Sequence, residues 1–327
     1  FVVVAGDLVQ SGGEQRDWDE FWRHNTSPDP ARSLAALVPI LPALGNHDYY
    51  AGPKIGGYAP ADSERAVARY LACFRVPANG APEPAHEGRF YRFNYGPVAL
   101  IVLDLNNGRP HRSERDTNWY LQGEGEPGGG HAPDFHEGSY QHRWLERELA
   151  HAQRTARFTF VAFHHAPYSV GPHGRPPGPG GAHGDPLSGV PVRELTPLLL
   201  RRGVDAVFSG HCEMLERSEV SGREQLPDGN ERPHSIQFYD VGIAGDGLRP
   251  PVSGVENPHQ RFLAHRDSPE VWEHGRLLRG GKHYGHVEVN VHVGDDGFWK
   301  AELAPVYVFP QMDASGAVTG WERRVYD

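Results

Sequence analysis

Five short apolar runs, residues 1–5, 40–44, 98–103, 158–163 and 204–208, punctuate the chain, and each gives way within two residues to Gly, His or Asp. Continuous runs of Val, Ile, Leu and Phe without polar alternation are what strands covered on both faces require. Between them, residues 14–24, 63–74, 141–153 and 192–202 space apolar and charged positions close to the helical period and predict helices. Strand–helix alternation of this kind predicts an α/β architecture. Farther on, residues 283–293 and 298–309 alternate apolar and polar positions, the period-two pattern of half-buried antiparallel strands. Three stretches, 106–139, 171–189 and 246–282, show neither pattern and predict long loops; the first two are rich in Gly and Pro. With no linker-like stretch and no internal repeat, one domain over residues 1–327 is expected, carrying those three segments as insertions.

Charge and composition narrow the function. The 327 residues carry 32 basic and 42 acidic side chains, a net charge of −10. An acidic chain has no general attraction to nucleic acid or anionic membranes, so any phosphate it binds needs a local positive centre. No run of roughly 18 apolar residues is present, so no membrane-spanning segment is expected. Two cysteines, Cys73 and Cys212, exclude a disulfide-rich scaffold and a Cys-based zinc finger. Twenty histidines leave ample supply for a His-based metal site. The chain opens on Phe1-Val2-Val3-Val4 as if a strand were already under way, without an initiator Met or a leader. A fragment that begins mid-fold is therefore expected, and the compartment is not readable.

Four short motifs follow the apolar runs, where α/β folds place their sites. They are Gly6-Asp7-Leu8-Val9-Gln10-Ser11-Gly12, Gly45-Asn46-His47-Asp48, Phe163-His164-His165-Ala166-Pro167-Tyr168 and Ser209-Gly210-His211-Cys212-Glu213. Singly, each also suits a turn or a helix cap. Together they supply oxygen and nitrogen ligands for hard or borderline metal ions at successive strand ends. Neither a Gly-x-Ser-x-Gly elbow nor a P-loop occurs, which disfavours a serine nucleophile and nucleotide-dependent transfer.

In order and spacing these motifs resemble the calcineurin-like metallophosphoesterase superfamily. Its signature runs Asp-x-His, Gly-Asp, Gly-Asn-His-Asp/Glu, a strand-terminal His, and Gly-His-x-His. The first block is absent here and would lie upstream of Phe1. Phe-His-His-Ala-Pro-Tyr and the stretch after Gly210 resemble the purple acid phosphatase-like branch. That branch's metal-binding Tyr is replaced by Gln10, so a ferric–tyrosinate centre is not expected. The resemblance covers about residues 1–245.

The resemblance implies an αββα four-layer sandwich of two mixed sheets flanked by helices. It implies two divalent or trivalent metal ions (Mn, Fe or Zn) that activate water for attack on a small phosphorylated substrate, a mono- or diester. Asp7 would bridge the ions. Asn46, His164 and His211 would hold the second one, with His165 competing for the place of His164. His47 would face the phosphate, and Asp48 would orient it. Glu213 stands where the family has a His ligand of the first ion. There it either ligates, favouring Mn, Fe or Mg over Zn, or pairs with a nearby arginine such as Arg217. The substitution at Glu213 motivates the alternative of a non-catalytic binding or regulatory module that keeps the fold. Selectivity is expected from the loops, with Arg109, Arg112, Tyr168, His173 and His183 as candidate substrate contacts or plain solvated residues.

Overall fold

The computed structural model describes residues 1–52, 60–106, 132–177, 184–185, 187–245, 247–264, 268–273, 276–313 and 315–325. In chain order the strands are β1 (Val2–Val4), β2 (Ile40–Pro42), β3 (Tyr91–Tyr95), β4 (Val98–Val102), β5 (Phe158–Ala162), β6 (Ala206–Ser209), β7 (Leu215–Gln225), β8 (Glu231–Val241), β9 (Gln260–Leu263), β10 (Val271–Glu273), β11 (Arg276–Arg279), β12 (Gly285–Val293), β13 (Trp299–Met312) and β14 (Val318–Val325). The helices are α1 (Gln15–Asn25), α2 (Leu34–Leu37), α3 (Pro60–Cys73), α4 (Tyr140–Thr155) and α5 (Thr196–Arg201).

Every side chain of β4 is buried, so this strand must lie inside a sheet covered on both faces. It belongs to a seven-stranded sheet of order β3-β4-β5-β6-β8-β7-β9. The centre, β4-β5-β6-β8, is parallel, and β3, β7 and β9 pair antiparallel at the flanks. Period-two alternation sends Ile101, Val161 and Val207 to one face, against Trp144, Leu145 and Leu149 of α4 and Leu198 and Leu199 of α5. It sends Leu100, Val102, Phe160, Ala162 and Phe208 to the other face, against Leu41, Ala43, Val287, Val291 and Leu303.

Those last residues belong to a second layer made of the parallel pair β1-β2 and the antiparallel sheet β12-β13-β14. Outside β1-β2, Ile40 and Leu44 meet Trp18 of α1 and Tyr70 and Phe74, at the end of α3. The layers therefore run helix, sheet, sheet, helix, the αββα sandwich that the family resemblance implies. α4 starts cleanly because the Ser139 hydroxyl accepts from His142 N at 3.2 Å, and it buries Trp144, Leu145, Leu149 and Ala152 along one stripe.

Three elements depart from the sequence reading. Residues 192–202 were expected as one helix. They split into a 3-10 segment, Val190–Leu195, and α5, because Pro191 and Pro197 have no N–H to give to a continuous ladder. Residues 246–282 were expected as a loop but include β9, β10 and β11. The long β7-β8 hairpin carries too many charges to look like a sheet; its turn closes at Gly229, with Leu226 N donating to Asn230 O at 2.7 Å. Residues 107–131, with Arg109 and Arg112, and residues 178–183, with His183, lie outside the described residues.

β1 pairs parallel with β2, and β5 pairs parallel with β6. The loops that leave their C-terminal ends carry the four motifs, and the two sheets bring those ends together.

Candidate metal centre

His164 lies two residues past β5, and its ring is fixed by Ala5, just past β1: Nδ1 lies 2.8 Å from the Ala5 carbonyl. A carbonyl only accepts, so Nδ1 carries the proton and Nε2 is the ring atom left to face outward. Three donor atoms from three other loops surround it. Asp7 Oδ2 lies at 3.0 Å, Asn46 Oδ1 at 3.0 Å and His211 Nδ1 at 2.9 Å.

Each of these atoms is aimed by the bond its opposite end makes. Asp7 Oδ1 accepts from His47 N at 2.9 Å, so Oδ2 is left for His164. Asn46 Nδ2 donates to the Tyr50 hydroxyl at 2.6 Å, so Oδ1 turns inward. His211 Nε2 donates to the Leu187 carbonyl at 2.8 Å, which leaves the Nδ1 lone pair facing His164. Even a protonated Nε2 on His164 could satisfy only one of three such acceptors. Four convergent atoms, two imidazole nitrogens, a carboxylate oxygen and an amide oxygen, are of the kinds that could hold a divalent or trivalent cation, and bonds at their far ends aim them.

Burial pushes the Asp7 carboxyl up, but the His164 ring and then His47 outweigh it and hold the group well below the usual carboxylate range. Burial lowers the His164 ring, but Asp7 outweighs it and raises the ring, so a proton on Nε2 pairs with Asp7 until a cation takes its place. Burial pushes the His211 ring well below the ordinary histidine value, with His173, His165 and His164 adding to the effect, so it presents a neutral lone pair. His165 lies in the same cluster: donor atoms of His164, His165 and His211 lie within 4.8 Å of one another, and its ring centroid is 4.4 Å from that of His211. It is His164 that contacts both Asp7 and Asn46.

Asp48 and His47 sit differently from the expectation that one orients the other. The Asp48 carboxylate is fully buried and accepts from Gly45 N at 2.8 Å and Leu8 N at 3.1 Å, tying the Gly-Asp loop to the Gly-Asn-His-Asp loop. Burial, reinforced by Asp7, raises it to about 8. The His47 ring is held instead by the Gln10 carbonyl, 2.9 Å from Nδ1.

Glu213 lines the same cleft, but Arg249 occupies its carboxylate, with Nη2 3.0 Å from Oε1 and Nε against Oε2. Arg217, the partner considered from sequence, bonds to Gln237 at 2.7 Å instead, because β7 points it at the neighbouring strand.

The cleft has a volume of about 360 Å³ and is lined by Asp7, Gln10, Asn46, His47, Tyr50, His173, Leu187, His211, Glu213 and Arg249. His173, a loop candidate on sequence, stacks on His211 at 4.0 Å between centroids and is held by Asp185, 2.8 Å from Nδ1. Tyr168, another candidate, is buried with its hydroxyl on Thr196 and does not line the cleft. Arg249 and Tyr50 escaped the sequence reading: one sits in an aperiodic loop, and the other looks like the end of a turn.

The family model of the calcineurin-like phosphoesterases matches residues 1–212. The chain belongs to the calcineurin-like phosphoesterase family. An uncharacterized protein of Mycobacterium tuberculosis is 28% identical over 226 residues, covering 67% of this chain and 34% of that protein. A probable purple acid phosphatase of Arabidopsis thaliana is 25% identical over 216 residues, 66% of this chain and 39% of that one. The chain thus spans about a third of the length of these relatives. Among solved structures, a purple acid phosphatase from yellow lupin seeds superposes with a TM-score of 0.52 at 16% identity, over 99% of this chain and 46% of that one. The superposition supports the fold. Among the described residues no helix is long and apolar enough to cross a membrane.

Proposed function

We propose that this chain carries the catalytic centre of a metal-dependent hydrolase of small phosphate mono- or diesters. One observation carries the reading: Asp7 Oδ2, Asn46 Oδ1 and His211 Nδ1 converge on His164 Nε2 at 2.9–3.0 Å, each aimed by a bond at its far end. Asp7, Asn46, His164 and His211 would hold one cation, and Asp7 is the donor a second would share. A bound divalent or trivalent ion supplies charge that draws phosphate into the cleft of an acidic chain and lowers the pKa of water toward neutrality.

The remaining work falls to the chain. Asp48 fixes the two loops that carry Asp7 and Asn46, so the donors are organised before substrate arrives. His47, with Nδ1 donating to the Gln10 carbonyl, lines the cleft and has Nε2 left over; a ring that also carries a proton there would donate it to a leaving oxygen. His173 is disposed in the same way by Asp185. Family membership and the purple acid phosphatase relatives support phosphoester hydrolysis in general.

The test joins metal content to turnover. Protein loaded with Mn, Fe or Zn should hydrolyse p-nitrophenyl phosphate or its bis ester. Asp7→Ala should abolish turnover, and His164→Ala should lose both bound metal and turnover. A His164→Ala protein that keeps its metal and its rate would sink the reading.

A further inference from the structure

Arg249 is the one Arg or Lys that lines the cleft among the described residues. Its attachment is unusually complete. Nη2 donates to Glu213 Oε1 at 3.0 Å, Nε faces Glu213 Oε2, and its own backbone N–H donates to Glu213 O at 3.0 Å. A fork-on-fork pair with a third, main-chain bond fixes the plane of the guanidinium rather than only its position. The cation is the more open partner: 43% of the Arg249 side chain is accessible, against 17% for Glu213. Among the described residues Nη1 makes no hydrogen bond, and it lies on the edge of the guanidinium that the Glu213 fork does not use. Glu213 adopts a left-handed backbone, φ 53°, which a non-glycine residue keeps only where its surroundings hold it. Both Glu213 carboxylate oxygens lie against the Arg249 guanidinium.

We propose that Arg249 is an anion-binding residue of the cleft, taking a phosphate oxygen with the free edge of its guanidinium, and that Glu213 is its holder and not a metal ligand. This deepens the hydrolase reading and rests on it. The chemistry recognised is a phosphate group whose oxygens reach both the cation held by Asp7, Asn46, His164 and His211 and a planar donor on the opposite strand-end loop. The position that the family gives to a ligand of the first ion would then serve a covalently fixed positive charge.

The experiment is calorimetric titration of inorganic phosphate into the chain at one fixed free Mn²⁺ concentration, with bound manganese measured alongside. Arg249→Gln should weaken phosphate roughly 10- to 100-fold, the loss of one charge-assisted contact, with manganese content unchanged. Arg249→Lys, which keeps the charge without the fork and carries the test if Arg249→Gln fails to fold, should weaken it several-fold. Glu213→Gln should leave manganese content unchanged and weaken phosphate several-fold by loosening the guanidinium. Wild-type affinity in both Arg249 variants, loss of manganese in Glu213→Gln, or no phosphate binding by the wild-type chain would each overturn the proposal. If the wild-type chain binds phosphate through Arg249 yet turns over neither ester, the hydrolase reading fails and the assignment of Arg249 stands.

Discussion

Replacing Gly6 by Ala tests whether the Gly-Asp motif is written by the His164 ring. Gly6 has φ +87°, and a Cβ there would lie 2.5 Å from His164 Nδ1 and 2.7 Å from its Cγ. The ring cannot retreat, because Nδ1 is already bonded to Ala5 O at 2.8 Å and Nε2 is enclosed by three further polar atoms. Two costs add. A left-handed backbone costs a non-glycine residue ~1–2 kcal/mol, and overpacking a rigid site costs ~1–3 kcal/mol. Gly229 separates them: its φ is +89°, and a Cβ there would meet nothing within 4 Å. Gly229→Ala should therefore lose only the backbone part, and Gly6→Ala about 2–5 kcal/mol in total. Urea unfolding of both variants reads the difference. A manganese titration should also show Gly6→Ala binding about tenfold more weakly, since the displaced ring is a donor, with Gly229→Ala at wild-type affinity. Equal destabilisation within ~0.5 kcal/mol would refute the argument that His164 excludes a side chain at position 6.

Two further outcomes bear on the fold. Leu149→Ala, in the stripe of α4 that closes the outer core, should destabilise by ~2–5 kcal/mol in urea while leaving metal content at the wild-type level. Burial raises the Asp205 carboxyl from 3.8 to about 6, the bond from Thr159 N offsetting only part of it. A raised carboxyl contributes stability that is complete below the unfolded value and is lost as pH rises through the folded one. Stability should thus fall by ~1–2 kcal/mol between about pH 4 and 7, after discounting for partial exposure, and Asp205→Asn should remove that part of the slope in unfolding curves.

What the sequence discloses follows from what each pattern has to satisfy. β4 and β5 are legible because strands covered by helices on one face and a sheet on the other can hold few polar residues. β7 and β8 are not, because their outer halves satisfy charge by pairing across strands: Arg223 with Glu231 at 2.7 Å and Arg232 with Glu224 at 2.5 Å. Even Glu216, fully buried in β7, is reconciled by donors far off in sequence, Val170 N at 2.8 Å, Asn257 at 2.7 Å and Gln260 at 2.8 Å. Asp7, Asn46, His164 and His211 are legible as a set because each ends an apolar run. Arg249 is not, since its partner is 36 residues away and its own loop has no period. The geometry of Asp48 is likewise invisible in Gly45-Asn46-His47-Asp48: adjacency to His47 suggests a contact, whereas the carboxylate reaches 40 residues back to Leu8 N.

The places where local rules are broken fall together in space. Among the described residues two non-glycines take a left-handed backbone, Asp7 at φ 52° and Glu213 at φ 53°, and both line the cleft. Each conformation is disfavoured by itself and persists because side-chain and main-chain contacts over-determine it. For Asp7 these are His47 N and His164; for Glu213 they are the three bonds from Arg249. The consequence in both cases is directional. The turn at Asp7 points one carboxylate oxygen at the convergent donors, and the turn at Glu213 sets its carboxylate against a guanidinium. A structural turn with no further duty is made more cheaply with Gly or Asn. Strain retained at these two positions, both lining one 360 Å³ cleft, is what an arrangement for gripping a phosphate between a bound cation and a fixed arginine requires.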